Sequence, residues 1–262
     1  MNDYVFIANN LCFSQNGESI FENFNISIKH GEIVSIIGAN KCGKSTLIKL
    51  LSGFYPTENK IAVSNIVLNE KSKEGFYKKV GLVCNENNRE NHALVGDYIS
   101  SDAKRKNNNF YRKIIEMFGI QELLKQRVNT LGVDDFIRVE MCKNLVKKPN
   151  VLFIDYTNIH MSQALKKQIS FLYELLAKED IAIVFATNDP TDALIADTTY
   201  VIHKGVIALA GKTKDVFRQD SLLLKLGIEL PFEVDLSLKL GMYGLLDDIY
   251  YDIDELVNRL WK

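Results

Sequence analysis

Nine consecutive residues, Gly38 to Thr46, read GANKCGKST, and their types and spacing are those of a backbone cradle for a phosphate chain. Gly38, Gly43, Lys44 and Ser45 satisfy G-x-x-x-x-G-K-[ST], Ala39, Asn40, Lys41 and Cys42 fill the variable positions, and Thr46 follows. Backbone N–H groups of such a loop, with those at the start of the helix after it, converge on an anion. Lys44 reaches the outer phosphates as a point charge, and the Ser45 hydroxyl is placed to ligate Mg2+. The same letters also describe an ordinary glycine turn at a helix start. What favours the cradle is context, because an apolar run, Ile33 to Ile37, precedes the motif and a helix-like segment, Leu47 to Ser52, follows it.

A second group belongs to the same chemistry. Asp155 closes the run VLFID, four apolar residues ending in an acid, well downstream of the cradle. A carboxylate at a strand tip holds Mg2+ directly or through water, opposite Ser45. Alone it would be a strand-end turn residue; paired with the upstream loop it reads as a metal group. Two departures inside the loop carry expectations of their own. A β-carbon at Lys41 strains a loop that wants positive φ, while its ammonium adds positive charge near the phosphates. Cys42 lies close to a helix N-terminus and to Lys44, a setting that lowers thiol pKa, so it is expected to alkylate faster than Cys12, Cys84 and Cys142.

The elements that must hold these groups alternate along the chain. YVFIANNLCFS and IFENFNISI, either side of QNGES, read as two or three antiparallel strands. Pro56 breaks the chain after the first helix, and IAVSNIVLN is a further strand candidate, as is Lys79 to Val83. Ala93 to Gln126 reads as helical, with Tyr111, Ile114, Ile115 and Phe118 on one face and the basic interruption KRKNNN before them, a solvated loop or a docking surface. A helix over Asp135 to Val146 leads to the VLFID strand, a periodic helix spans Gln163 to Lys178, IAIVFAT is a buried parallel-type strand, and TYVIHKGVIALAG is a hairpin. The class is therefore α/β: a parallel sheet with a smaller antiparallel sheet beside it.

Composition bounds the rest. Among 262 residues, 47% apolar and 25% charged is an ordinary globular mixture, long enough for a full α/β core. A net charge of −1 gives no overall basic field, so no nucleic-acid partner is expected. No apolar run approaches the ~20 residues of a membrane span. The start MNDYVFIANN has neither a basic n-region nor a long apolar h-region, so the chain is expected inside the cell. Four scattered cysteines without C-x-x-C spacing read as reduced thiols, not as a zinc site or a disulfide framework.

The order of antiparallel strands, phosphate loop, helical insert, helix, strand ending in Asp, helix, strand and hairpin resembles the ATP-binding cassette (ABC) ATPases of membrane transporters. The likeness runs from about Tyr4 to Lys262, and the tail GIELPFEVDLSLKLGMYG with DIDELVNRLW resembles the C-terminal extension of energy-coupling factor (ECF) transporter ATPases. The resemblance implies a P-loop NTPase core over residues 1–220, with a helical insert about 86–145, and a C-terminal extension over 221–262 that is a possible dimerisation element. It implies ATP and Mg2+ as cofactors, and two ATPase chains sandwiching two ATP molecules. It also implies an integral membrane subunit driven by the pair, with the chain cytoplasmic and peripheral on the membrane's inner face.

Against that pattern several functional positions are changed. The family's catalytic glutamate after the strand aspartate is Tyr156, a phenol of ordinary pKa near ~10 and a poor base at neutral pH, so hydrolysis is expected to be weak; losing a positioned base costs on the order of 10² to 10⁴-fold. The switch histidine falls at Asn188, which donates a hydrogen bond but cannot relay a proton. The glutamine-loop position is Asn85, either a shorter amide ligand for the metal or a turn cap. The signature Leu-Ser-Gly-Gly-Gln becomes LGVDD, Leu131 to Asp135. Asp134 and Asp135 there cap a helix and complement its dipole, or repel a partner's phosphate, or both; a like-charge contact at ~4 Å costs about 4 kcal/mol at an effective dielectric near 20. Gln15 fills the adenine-stacking position, leaving Phe13 as adenine platform or as core. Asp189, beside Asn188, has no motif-based claim to be the base. The expected function is an ATP-binding subunit of an ECF-type importer, paired with a chain of more intact motifs, binding well and hydrolysing weakly. The rival is a non-transporting regulatory or scaffold protein that keeps the fold.

Overall fold

The structure, a computed structural model, describes residues 3–15, 17–57, 60–84, 90–100, 109–157 and 161–261. The chain opens with two twelve-residue strands, β1 (Tyr4–Gln15) and β2 (Glu18–Lys29), then β3 (Ile33–Ile37) and α1 (Lys44–Leu51). There follow β4 (Ile61–Val63), β5 (Ile66–Val67), α2 (Lys73–Lys79), β6 (Val80–Val83), α3 (Val95–Ser100), α4 (Asn109–Phe118) and α5 (Val133–Leu145). The second half holds β7 (Val151–Asp155), α6 (Gln163–Lys178), β8 (Ala182–Ala186), β9 (Thr198–His203) and β10 (Val206–Lys212). Four helices close the chain: α7 (Thr213–Phe217), α8 (Asp220–Lys225), α9 (Phe232–Met242) and α10 (Ile253–Leu260).

Two sheets result. One has the order β2-β1-β4-β5 and is antiparallel; the other has the order β10-β9-β3-β8-β7-β6, parallel except for the edge strand β10. The expected strand IAVSNIVLN is two short strands turned at Ser64 and Asn65, both at positive φ, and the expected single helical stretch from Ala93 divides into α3, α4 and a 3-10 turn over Gln121–Lys125. The stretch KRKNNN falls almost wholly outside the described residues.

The central strands β7 and β8 read as apolar runs because both of their faces are covered. Along β7, Leu152 and Ile154 enter a core under α5 and α6, while Val151 and Phe153 enter a second core under α1 and the antiparallel sheet. β8 divides the same way, with Ile183 and Phe185 on the first side and Ala182, Val184 and Ala186 on the second. Phe6 of β1 meets Phe153 edge to face at 5.1 Å, which fixes the small sheet on the large one. Pairing of Ile36 and of Asp155 with Ala186 brings the C-terminal ends of β3, β7 and β8 level. Groups at such strand ends share one crevice, the usual ligand position in an open α/β sheet. Ile37 and Val201 also join a third core with Phe217, Leu223, Val234 and Ile249, so α7 to α9 are packed onto the sheet end.

Candidate functional site

The loop from Gly38 to Gly43 runs from the end of β3 into α1. A Cβ at Gly38 would lie 2.4 Å from the Ile202 carbonyl oxygen and 2.7 Å from Cys42 Sγ, so only glycine fits there. Gly43 occupies the cap position of α1 at φ 101°, a conformation without steric cost for glycine alone. Lys41 has φ 63° although it carries a side chain, the strain expected from the sequence and worth about 1 kcal/mol. Its ammonium is exposed beside the loop.

Lys44 is 3% exposed, and its Nζ donates to the carbonyls of Gly38 at 2.7 Å and Ala39 at 2.9 Å, with Cys42 Sγ at 3.8 Å. Burial lowers its pKa, opposed by Cys42 and the Asp155 carboxylate. The ammonium is thus held within the curve of the loop by the loop's own backbone. Asn40, Lys41, Gly43, Lys44, Ser45, Thr46, Thr157 and Asn188 line an open cleft of about 630 Å³ over it.

On the metal side, the structure joins Ser45 and Asp155 through Thr157, which no motif marks. Ser45 Oγ lies 2.6 Å from Thr157 Oγ1, and Thr157 donates to Asp155 Oδ1 from Oγ1 at 2.6 Å and from its N–H at 3.1 Å. Asp155 itself is 8% exposed. The donors gathered here are hydroxyl and carboxylate oxygens, the set a hard cation such as Mg2+ prefers. Glycines at the points of closest backbone approach, a buried ammonium and these oxygens together fit a triphosphate with its cation. Lys44 and the loop N–H groups would hold the phosphates; Ser45 and the Asp155–Thr157 pair would face the metal.

Tyr156, at the position where the resemblance implies a catalytic base, faces away from the cleft. Tyr156 is 5% exposed, and its ring packs toward Phe185 while its hydroxyl lies 2.8 Å from that of Tyr173 and 3.9 Å from Met141 Sδ. Burial pushes the phenol well above its ordinary pKa. It points into the core under α6, not into the cleft. Asn188 does reach the cleft, but its Nδ2 donates to the Thr157 carbonyl. Asp189 caps the 3-10 turn that follows by accepting from Thr191 N and accepts from Lys166 Nζ at 2.9 Å. Burial would raise its pKa, but the Lys166 hydrogen bond and the Thr191 N–H outweigh that and hold it low. It is a bracing residue, in keeping with its lack of any motif.

One expectation is corrected. Asp134 and Asp135 do not cap α5: the helix starts at Val133 and its cap residue is Gly132, which makes no side-chain cap hydrogen bond. Both carboxylates lie in the first turn, where they complement the dipole; Asp135 is bonded by Arg138 at 2.6 Å and Asp134 accepts from Ser162 N at 3.2 Å. Phe13 packs against the edge of the second core. It is half-buried and stacked on Tyr55 with centroids 5.1 Å apart, so one ring face is taken, and Gln15 is exposed. Asn85 lies outside the described residues.

A family model described as ABC transporter matches residues 21–157, just over half of the chain. The chain belongs to the ABC transporter family. The matched segment contains both the cradle and the Asp155–Thr157 strand end. This ABC chain is 26% identical over 259 residues to the energy-coupling factor transporter ATP-binding protein EcfA1 of Mycoplasma pneumoniae, covering 95% of this chain and 94% of that protein. The protein of the same name from Mycoplasmopsis pulmonis is 28% identical over 259 residues, covering 95% and 96%. Among solved structures, CbiO1 of Clostridium perfringens, part of an ABC transporter complex, superposes with a TM-score of 0.73 at 24% identity, covering 93% of this chain and 99% of that one. The ABC fold therefore spans most of the chain, and among the described residues no helix is long and apolar enough to cross a membrane.

Proposed function

We propose that this ABC chain is the ATP-binding subunit of an ECF-type importer that grips MgATP and hydrolyses it weakly at its own site. The observation that carries the reading is the contrast within one crevice: the Gly38–Thr46 loop keeps its glycines and its buried Lys44, while the residue after Asp155 is turned into the core. Relatives bearing the ECF name align over nearly the whole chain, which supports the transport role. The membrane subunit and the second ATPase chain belong to the same reading. Tyr243 at 82% and Trp261 at 86% exposure, with Met242 and Leu245 near the former, are apolar surface of the kind a partner covers. The carboxylates in the first turn of α5 make this chain a poor clamp for a partner's ATP.

Calorimetry with MgATP, set beside phosphate release, tests the reading on the chain alone and mixed with a candidate partner ATPase. Micromolar binding with little turnover is the expected pair of results. Rapid phosphate release by the isolated chain would overturn the degenerate-site half, and absence of heat at millimolar nucleotide would overturn the whole. A binding chain that stays monomeric and joins no membrane subunit would transfer the reading to a regulatory protein.

Cysteine labelling gives an independent check. Cys12 is exposed, Cys42 half-buried beside Lys44, and Cys84 and Cys142 buried. With iodoacetamide and peptide mass spectrometry, MgATP is expected to slow Cys42 labelling several-fold and leave Cys12 unaffected. Equal labelling of Cys42 with and without nucleotide would count against phosphate in the loop.

A further inference from the structure

Asp155 is not among the residues that line the cleft, whereas Ser45 and Thr157 are. We propose that Thr157 presents the cation-facing oxygen at the strand end, its hydroxyl acting with that of Ser45, and that Asp155 works behind it as the group that orients and polarises that hydroxyl. The assignment rests on the nucleotide-binding reading and goes further by naming a side chain toward the metal.

The hydrogen-bond directions carry it. Thr157 has one hydroxyl proton, and that proton goes to Asp155 Oδ1 at 2.6 Å. Ser45 must then be the donor in the 2.6 Å contact between the two hydroxyls, so Thr157 Oγ1 offers its lone pairs on the side of Ser45 and the cleft. A hydroxyl that donates to a carboxylate is polarised by it and becomes a better oxygen ligand. The segment is also fixed in place: Thr157 N–H is bonded to the same carboxylate oxygen, and its carbonyl accepts from Asn188 Nδ2. Alternation adds a cause. Tyr156 is drawn into the core by Tyr173 and Phe185, so the next residue is turned to the opposite side, over the cleft.

The test uses the ratio of two affinities measured by calorimetry, for MgATP and for ATP in EDTA, in the intact chain. Thr157→Val keeps the shape and removes the oxygen. It is expected to reduce the metal's contribution, the MgATP to metal-free ratio, by about tenfold. Thr157→Ser restores the hydroxyl and is expected to retain the wild-type ratio. A Thr157→Val ratio equal to wild type overturns the assignment, and a larger ratio shows that the hydroxyl locks the site instead of serving the metal. Thr157→Ser keeps the test open if the valine variant fails to fold, since a serine variant without metal dependence also overturns it. Wild-type chain that takes up no ATP at all fails the underlying reading, which is a separate and distinguishable result.

Discussion

Lys44→Ala is expected to weaken MgATP binding by roughly 100-fold or more, the size of losing a desolvated charge contact. The reason is local. The Lys44 ammonium is held by the carbonyls of Gly38 and Ala39 within the loop, so the positive charge is in place before any ligand arrives. Truncation removes that charge and leaves two carbonyls without their donor, which costs about 1 to 2 kcal/mol of stability and leaves the fold intact. Circular dichroism with a thermal melt separates the two effects. The sign of the pH dependence also follows. Burial lowers the Lys44 pKa from 10.5, so wild-type affinity is expected to decline on the alkaline side earlier than an ordinary lysine would dictate. Lys44→Ala should lose that limb. An alanine variant that binds within fivefold of wild type would mean the loop N–H groups suffice and the ammonium is structural.

How much of this was legible in the sequence depends on how local each cause is. The both-face burial of β7 and β8 is written in their apolar runs, and the cradle is written in glycine spacing, because backbone clearance at Gly38 and the cap geometry at Gly43 are decided within a few residues. The positive φ at Lys41 was readable for the same reason. The direction of Tyr156 was not, since it is set by Tyr173 on α6 and Phe185 on β8, residues 17 positions away and farther. Nor was the start of α5, where the carboxylates look like caps in the letters LGVDD but the cap is Gly132, two residues before Asp134. The role of Thr157 is not local either: nothing in its neighbours reveals that its hydroxyl meets Ser45, 112 residues upstream. Its signal was present only as a polar residue where alternation after Tyr156 points back to the strand-end crevice.

The same inward turn yields the second large effect, on an obvious repair. Tyr156→Glu, which restores the family's catalytic residue type, is expected to lower stability by about 3 kcal/mol, a melting shift of roughly 6 to 10 °C, without a matching gain in turnover. The space at 156 is bounded by Met141, Tyr173 and Phe185; the Tyr173 hydroxyl there satisfies a single oxygen, and the Asp192 carboxylate adds like charge nearby. A carboxyl in that setting has its pKa raised in the folded state. Its protonated form is tolerated, so the loss is small near pH 5, below the raised folded value. The loss grows as pH rises past the unfolded value near ~4.3 and through the folded one, because the folded state then carries an unpaired buried charge. Melting curves at pH 5 and pH 8 therefore distinguish a trapped glutamate from one that has swung over the cleft. Tyr156→Phe is the control: it leaves only the Tyr173 hydroxyl short of a partner, costs about 1 to 2 kcal/mol, and keeps MgATP affinity within twofold because the phenol never faced the nucleotide. If Tyr156→Glu melts like wild type at both pH values and phosphate release rises by 100-fold, the tyrosine's orientation follows from its chemistry and not from the shape of the core, and the deficit in this site is one side chain deep.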